Sequence, residues 1–176
     1  YMGAREAAVR GFLTFASSSE YFLEVEPSSS ELKFLEEKFI KLIKELDKSK
    51  PIVIFGFTYI LYHTIFKPMK DRGLTFELPK NSLVIHIGGW KKLEANKVDK
   101  RVFNDDIASV LGLLPENVVD IYGFTEHMGL NYPDCSAGWK HTHCYSEVLI
   151  RNQEDLTLCS DGEVGILQFI SPIQHS

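Results

Sequence analysis

The sequence contains little cysteine and no long apolar stretch. Its three cysteines are an odd number, and no two of them form a CxxC pair, so we expect no disulfide framework and predict a reducing compartment. Polar residues interrupt every apolar run well before the roughly 18–20 positions that a membrane-spanning helix needs. The first residues also lack the basic segment and apolar run of a signal peptide. These absences predict a cytoplasmic protein without a membrane span.

Long basic runs are absent as well. No block of lysine and arginine exceeds two residues, and the net charge is −5 over 176 residues, so the field of the whole molecule repels phosphate backbones. Nucleic acid is therefore not an expected partner. The content of 44% hydrophobic and 24% charged residues is that of a globular domain and excludes a disordered tail.

The N-terminal part predicts two helices and a strand. An alanine-rich segment with apolar residues about one turn apart predicts a helix over residues 4–15, and the alternating residues 20–26 predict a strand. Leucine, isoleucine and phenylalanine then recur at helical spacing, which predicts an amphipathic helix from about Ser30 to Ser49. Ser28 and Glu31 have the spacing of a capping box at its start.

From Pro51 onward, short apolar runs alternate with longer amphipathic ones, as in βαβ units. The predicted strands are residues 52–55, 82–87 and 118–121, and the predicted helices between them are residues 59–72 and 99–111. Residues 146–150 and 164–170 predict a pair of antiparallel strands. We predict an α/β fold with a partial parallel βαβαβ sheet flanked by helices, followed by a small antiparallel β segment. The predicted division is an α/β domain over residues 1–145 and a β segment over residues 146–176.

Ligands of open parallel sheets bind beyond the carboxyl ends of the strands. The three segments at that edge are Gly56-Phe57-Thr58, Gly88-Gly89-Trp90-Lys91 and Tyr122-Gly123-Phe124-Thr125-Glu126. In the third, Thr125 suits a phosphoryl oxygen, Glu126 suits Mg²⁺, and Tyr122 suits stacking on a base. The alternative is a surface Thr-Glu pair that starts a helix, where capping and the helix dipole favour both residue types.

These same residues carry a family resemblance. Tyr122-Gly-Phe-Thr-Glu126 resembles the YGxTE motif of the adenylate-forming superfamily, and Ile87-Gly-Gly-Trp-Lys91 is similar to the GGWK stretch of LuxE-type acyl-protein synthetases. The Lys140-His141 step and the turn Asp161-Gly-Glu-Val-Gly165 resemble further family elements. Ligases like phenylacetate-CoA ligase share the YGxTE and GEVG elements.

The resemblance implies an ATP-dependent ligase that converts a carboxylic acid, such as a fatty acid, into an acyl-adenylate in the presence of Mg²⁺. It implies that Thr125 and Glu126 are catalytic, that Glu126 ligates Mg²⁺, and that His141 lies near the acyl pocket. The implied ATP and AMP contacts are Gly88, Gly89, Trp90, Tyr122, Gly123, Thr125 and Glu126. The acyl acceptor would be a protein thiol, or CoA if the chain is an acyl-CoA synthetase fragment. A non-catalytic module that binds an adenylate or a protein partner is the alternative from another class.

Several elements of the resembling family have no counterpart in the sequence. These are the glycine-rich phosphate loop, the ribose-binding aspartate, the hinge, and the C-terminal lid with its lysine and acyl-accepting cysteine. We therefore expect a fragment without adenylation activity of its own. An uncovered sheet edge would also favour self-association.

A zinc site is a further hypothesis. Cys135, His141, His143 and Cys144 lie within ten positions and have the ligand chemistry of a tetrahedral zinc centre, although their spacing is not that of a zinc knuckle. The alternative is a loop in which His141 lies near the acyl pocket and Cys144 is a small buried residue. His86, within a predicted strand, is interpreted as a hydrogen-bonded core or edge histidine and not as a ligand.

Overall fold

The computed structural model describes residues 4–26, 32–123 and 130–172. The chain forms two compact units, residues 1–120 and residues 121–176. The predicted division after residue 145 stays a prediction. None of the helices in the described ranges is long and apolar enough to cross a membrane.

A central sheet has the strand order β3-β4-β5-β6. Its strands are β3 (Val53–Phe57), β4 (Leu83–Ile87), β5 (Val118–Tyr122) and the two-residue β6 (Tyr132–Pro133). Strands β3 and β4 are parallel, with Gly56 opposite His86, whereas β6 pairs antiparallel with the end of β5. The α/β prediction is confirmed, and the antiparallel β6 makes the sheet mixed.

Among the described residues, four α-helices and a π-helical segment accompany the sheet. They are α1 (Ala4–Leu13), α2 (Glu36–Glu45), the π-helical segment (Ile60–Phe66), α3 (Lys67–Asp71) and α4 (Lys100–Leu111). Short 3₁₀ turns cover Lys91–Asn96 and Pro115–Asn117. Helix α4 begins where the carboxylate of Asp99 accepts the backbone N–H of Arg101, and it ends at Gly112, whose φ is +65°.

The start of the second predicted helix is wrong. Leu32–Phe34 form strand β2, which pairs antiparallel with β1 (Leu23–Val25), and helix α2 begins only at Glu36. The non-local pairing explains the difference, because the Leu35 N–H donates to the Phe22 carbonyl and the Phe34 ring packs against Phe39. The predicted capping pair Ser28 and Glu31 lies outside the described residues.

The main core of residues 1–120 lies on one face of the sheet. Strand partners in register share a face, so Val84 of β4, which is fully buried, faces the helices with its partner Ile54. The core cluster includes Phe39 of α2, Tyr62 of the π-helical segment, and Phe103 and Ile107 of α4. On the opposite face, the Phe12 ring of α1 stacks on Phe55 of β3, with 4.2 Å between ring centroids.

A buried carboxylate connects these helices. Asp106 of α4 is only 6% exposed; it accepts the Tyr62 hydroxyl at 2.8 Å and pairs with the ammonium of Lys70. Burial and the bond to Asp106 raise the pKa of Tyr62, so its hydroxyl stays protonated and donates. Asp106 thus joins the π-helical segment and α3 to α4.

Residues 121–176 contain the predicted antiparallel pair. Strand β7 (Glu147–Arg151) pairs with β8 (Ile166–Ile170), so that Glu147 lies opposite Ile170 and Arg151 opposite Ile166. Between the strands, the Arg151 side chain donates to the Leu156 carbonyl and to the Gln168 amide oxygen. The prediction of a hairpin-like β segment here is confirmed.

We predict that Asp106→Ala lowers the free energy of unfolding by about 2–3 kcal/mol, because it leaves the buried Tyr62 hydroxyl without its acceptor. Asp105→Ala is the matched control: Asp105 is the exposed neighbour on the same helix, and a change there should stay within about 0.5 kcal/mol. Urea denaturation followed by circular dichroism measures both. Equal losses in the two variants would contradict the role given to Asp106.

Candidate functional site

The segment after the first predicted strand is not a glycine loop. Strand β3 extends through Gly56 and Phe57, so Gly56 lies within the sheet. A Cβ at this position would lie 2.7 Å from a methyl carbon of Leu61. Gly56 therefore lets the π-helical segment pack closely on β3, which is a packing role.

The segment after β4 is a tight glycine turn. Gly88 and Gly89 have φ angles of +96° and +60°, a region that side chains disfavour, and both residues are exposed. The turn directs Trp90 into the core, where it is 8% exposed. Its indole packs at 5.6 Å from the Tyr62 ring and 5.4 Å from the His63 ring. Trp90 thus anchors the glycine turn to the π-helical segment.

A polar cluster that the sequence did not predict lies at the same end of the strands. Thr58 follows β3, His86 lies in β4 and Asp120 lies in β5. His86 Nδ1 is 3.0 Å from Thr58 Oγ1 and 3.5 Å from Asp120 Oδ1. His86 is 4% exposed, so of the two positions predicted for it, core or edge, it occupies the core. The juxtaposition needs the sheet register, and residues 58, 86 and 120 have no shared sequence signal.

The segment after β5 begins with an aromatic stack. The Tyr122 side chain is 45% exposed, and its ring stacks on Phe169 of β8 with 5.9 Å between centroids and 14° between planes. Phe169 also contacts the Tyr132 ring at 5.1 Å. Gly123 follows and is partly buried. The predicted catalytic residues Thr125 and Glu126 lie outside the described residues.

Within the described residues, the four candidate zinc ligands are not gathered into one cluster. Across the described ranges, no three His, Cys, Asp or Glu side chains are arranged to hold a metal ion. His143 donates from Nε2 to the Asn131 carbonyl at 2.8 Å, and its ring stacks on Tyr145. Cys144 is exposed, so the expectation of a small buried residue there is wrong.

Cys135 and His141 form a different pair. They belong to a tight turn closed by backbone bonds from Cys135 to Trp139 and from His141 to Pro133. The Trp139 N–H and the His141 side chain, which bond the thiol, lower the pKa of Cys135 to about 7. A thiol with this pKa is half ionised near neutral pH. His141, the predicted acyl-pocket residue, is exposed and contacts this thiol.

The turn Asp161–Gly165 has a structural explanation. Gly162 has a φ of +87°, and the Glu163 carboxylate accepts the Ser160 N–H at 2.8 Å. A Cβ at Gly165 would lie 2.3 Å from the Arg151 carbonyl oxygen. The glycines and the glutamate of this turn therefore shape the connection between β7 and β8.

The chain matches a known protein family over its whole length. The family model described as acyl-protein synthetase, LuxE, matches residues 1–176, the whole chain. No individually curated protein matches the chain.

We predict that the alkylation rate of Cys135 rises with pH and that the midpoint of this rise lies near pH 7. The reason is that the thiolate is the nucleophile and the pKa of this thiol is about 7. His141→Ala removes one of the groups that lower that pKa and should move the midpoint upward. Iodoacetamide labelling from pH 5 to 10 (roughly the range that brackets thiol titration), read by peptide mass spectrometry, reports each cysteine separately. An unchanged midpoint in His141→Ala would contradict the pairing.

Proposed function

The chain belongs to the LuxE acyl-protein synthetase family, and we propose that it provides residues that bind and form an acyl-adenylate. In the proposed reaction, a carboxylate oxygen of a fatty acid attacks the α-phosphorus of ATP, and the bond to pyrophosphate breaks. A protein thiolate then attacks the acyl carbon, which forms a thioester and releases AMP.

The observation that carries this proposal is the environment of Tyr122. A ring that is 45% exposed while one neighbour, Phe169, stacks on it is a preformed aromatic surface of the kind that adenine stacks on. This tyrosine also begins the YGFTE motif, which resembles the nucleotide-binding motif of adenylate-forming enzymes. Exposure, stacking and motif therefore support the same role.

The resemblance also assigns Gly88 and Gly89, in the glycine turn after β4, to nucleotide binding. Exposed backbone at Gly88 and Gly89 allows a ligand to approach the main chain, and a Cβ at Gly89 would meet no atom within 4 Å. Trp90, buried beneath, would hold the turn in place and would not itself face the ligand.

Thr125 and Glu126 complete the proposal by their place in the motif. Thr125 would donate its hydroxyl to a phosphoryl oxygen, and Glu126 would be a ligand of Mg²⁺. A bound Mg²⁺ would neutralise charge that develops on the phosphates.

We predict that the chain binds dodecanoyl-sulfamoyl adenosine, a non-hydrolysable acyl-adenylate analogue, in the presence of Mg²⁺. Tyr122→Ala should weaken the affinity about tenfold or more, because base–aromatic stacking contributes about 1–3 kcal/mol. Glu126→Ala should weaken binding of ATP only when Mg²⁺ is present. Isothermal titration calorimetry measures each affinity.

Tyr145→Ala is the matched control for the tyrosine variant. Tyr145 is 46% exposed and stacks on His143, so it resembles Tyr122 in exposure and in having a ring partner but lies outside the motif. Its removal should leave the affinity unchanged. Equal losses in both variants, or no binding by the unmodified chain, would contradict the proposal.

Phe169 gives a separate prediction. Phe169→Ala should weaken analogue binding about threefold to tenfold, because Tyr122 loses the ring that orients it, a contact of about 0.5–1.5 kcal/mol. Leu167→Ala, two positions earlier on β8 and 44% exposed, is the control. Calorimetry with the same analogue measures both variants. If Phe169→Ala binds the analogue as tightly as the unmodified chain does, this prediction is wrong.

A further inference from the structure

Thr58 and His86 share a buried hydrogen bond, and Asp120 lies within ion-pair distance of the same imidazole nitrogen. Thr58 is 5% exposed and His86 is 4% exposed, and the Phe103 ring lies 4.5 Å from the imidazole. Buried polar groups in such places are retained only when they are hydrogen-bonded. The Asp120 side chain, in contrast, is 32% exposed. The cluster therefore runs from the core to the surface.

The chemistry of the three groups sets the direction of the contacts. A carboxylate only accepts hydrogen bonds, whereas a threonine hydroxyl both donates and accepts. His86 Nδ1, which lies near both oxygens, can satisfy Asp120 only as a donor. Thr58 then restricts rotation of the ring, so that the Nδ1 edge stays directed at the two oxygens.

Asp120 lies two residues before the last residue of β5. Residues two apart in a strand share a face, so Asp120 lies on the face of Val118, which is 2% exposed and belongs to the core. Tyr122 follows two residues later in the same strand. A carboxylate held at Asp120 would therefore restrain the backbone that leads to Tyr122.

We propose that His86 is a positioning residue, whose Nδ1 edge holds the Asp120 carboxylate and thereby the end of β5 where the Tyr122–Glu126 motif starts. This inference rests on the proposed function, since the ligand is affected only through that motif. A histidine that merely filled space would have no need of the two oxygens at Nδ1, because an apolar side chain fills a core without desolvating polar groups.

Two substitutions separate positioning from packing. In His86→Asn, the side-chain amide can place its nitrogen where Nδ1 stood, although the side chain is smaller. In His86→Gln, the size is closer to histidine, but the amide reaches the place of Nε2. If His86 acts through Nδ1, His86→Asn should resemble the unmodified chain in hydrogen exchange and in affinity more than His86→Gln does. If His86 only fills space, His86→Gln should resemble the unmodified chain more.

The first measurement needs no ligand. Amide hydrogen exchange of residues 118–122 should accelerate less than threefold in His86→Asn and at least tenfold in His86→Gln. Ser82→Ala is the control, because Ser82 is also buried and accepts the Ile52 N–H at 3.1 Å, but at the opposite end of β4. In Ser82→Ala, hydrogen exchange over residues 118–122 should stay unchanged. The reverse order of the two His86 variants would overturn the proposal.

The second measurement uses dodecanoyl-sulfamoyl adenosine with Mg²⁺. The dissociation constant should rise less than threefold in His86→Asn and at least tenfold in His86→Gln. If the unmodified chain does not bind the analogue, the proposed function fails, while the exchange data still decide the role of His86.

If both His86 variants unfold, Thr58→Val replaces them and should accelerate hydrogen exchange over residues 118–122 at least threefold. Unchanged exchange in Thr58→Val would overturn the proposal.

Discussion

The helical layer of residues 1–120 depends on the buried carboxylate of Asp106. A carboxylate in this position is stable only with partners, and they come from two other elements, Tyr62 of the π-helical segment and Lys70 of α3. The Tyr62 ring in turn stacks on Phe103 and contacts Trp90 at 5.6 Å. Because Trp90 ends the glycine turn, one ionic interaction in the core helps to determine where the exposed Gly88 and Gly89 lie.

Elements with strong local signals could be predicted from the sequence. Helix α4 has an apolar face, an Asp99 cap and Gly112 at its end, and it was predicted within one residue at each end. Strand β2 has no such signal, because its residues also fit the helical spacing that follows and its pairing with β1 is non-local. The π-helical segment was predicted only as a helix, since its wider turn depends on packing and on Gly56, which admits Leu61.

The candidate site divides in the same way. The motif residues Gly88, Gly89 and Tyr122 were found from sequence, because short glycine and aromatic motifs are local. The burial of Trp90 could not be predicted from the sequence. A tryptophan that follows two glycines is compatible both with a ligand pocket and with a buried anchor. The stacking of Phe169 on Tyr122 and the pairing of His86 with Asp120 could not be found either, because these partners lie 47 and 34 positions apart in the sequence. The first contact joins strands of two different sheets, and the second depends on the register of neighbouring strands within one sheet.

The two buried polar clusters of residues 1–120 differ in a way that bears on their roles. The Asp106 cluster is enclosed by helices and its carboxylate is 6% exposed, so its effect is confined to holding those helices together. The His86 cluster ends in a carboxylate that is 32% exposed and lies two residues before Tyr122, the last residue of β5. Stability alone does not require a desolvated histidine beside that strand, since apolar residues would serve the core as well. The position of the His86 cluster is therefore better explained by a role in ordering the end of β5 than by a role in stabilising the core.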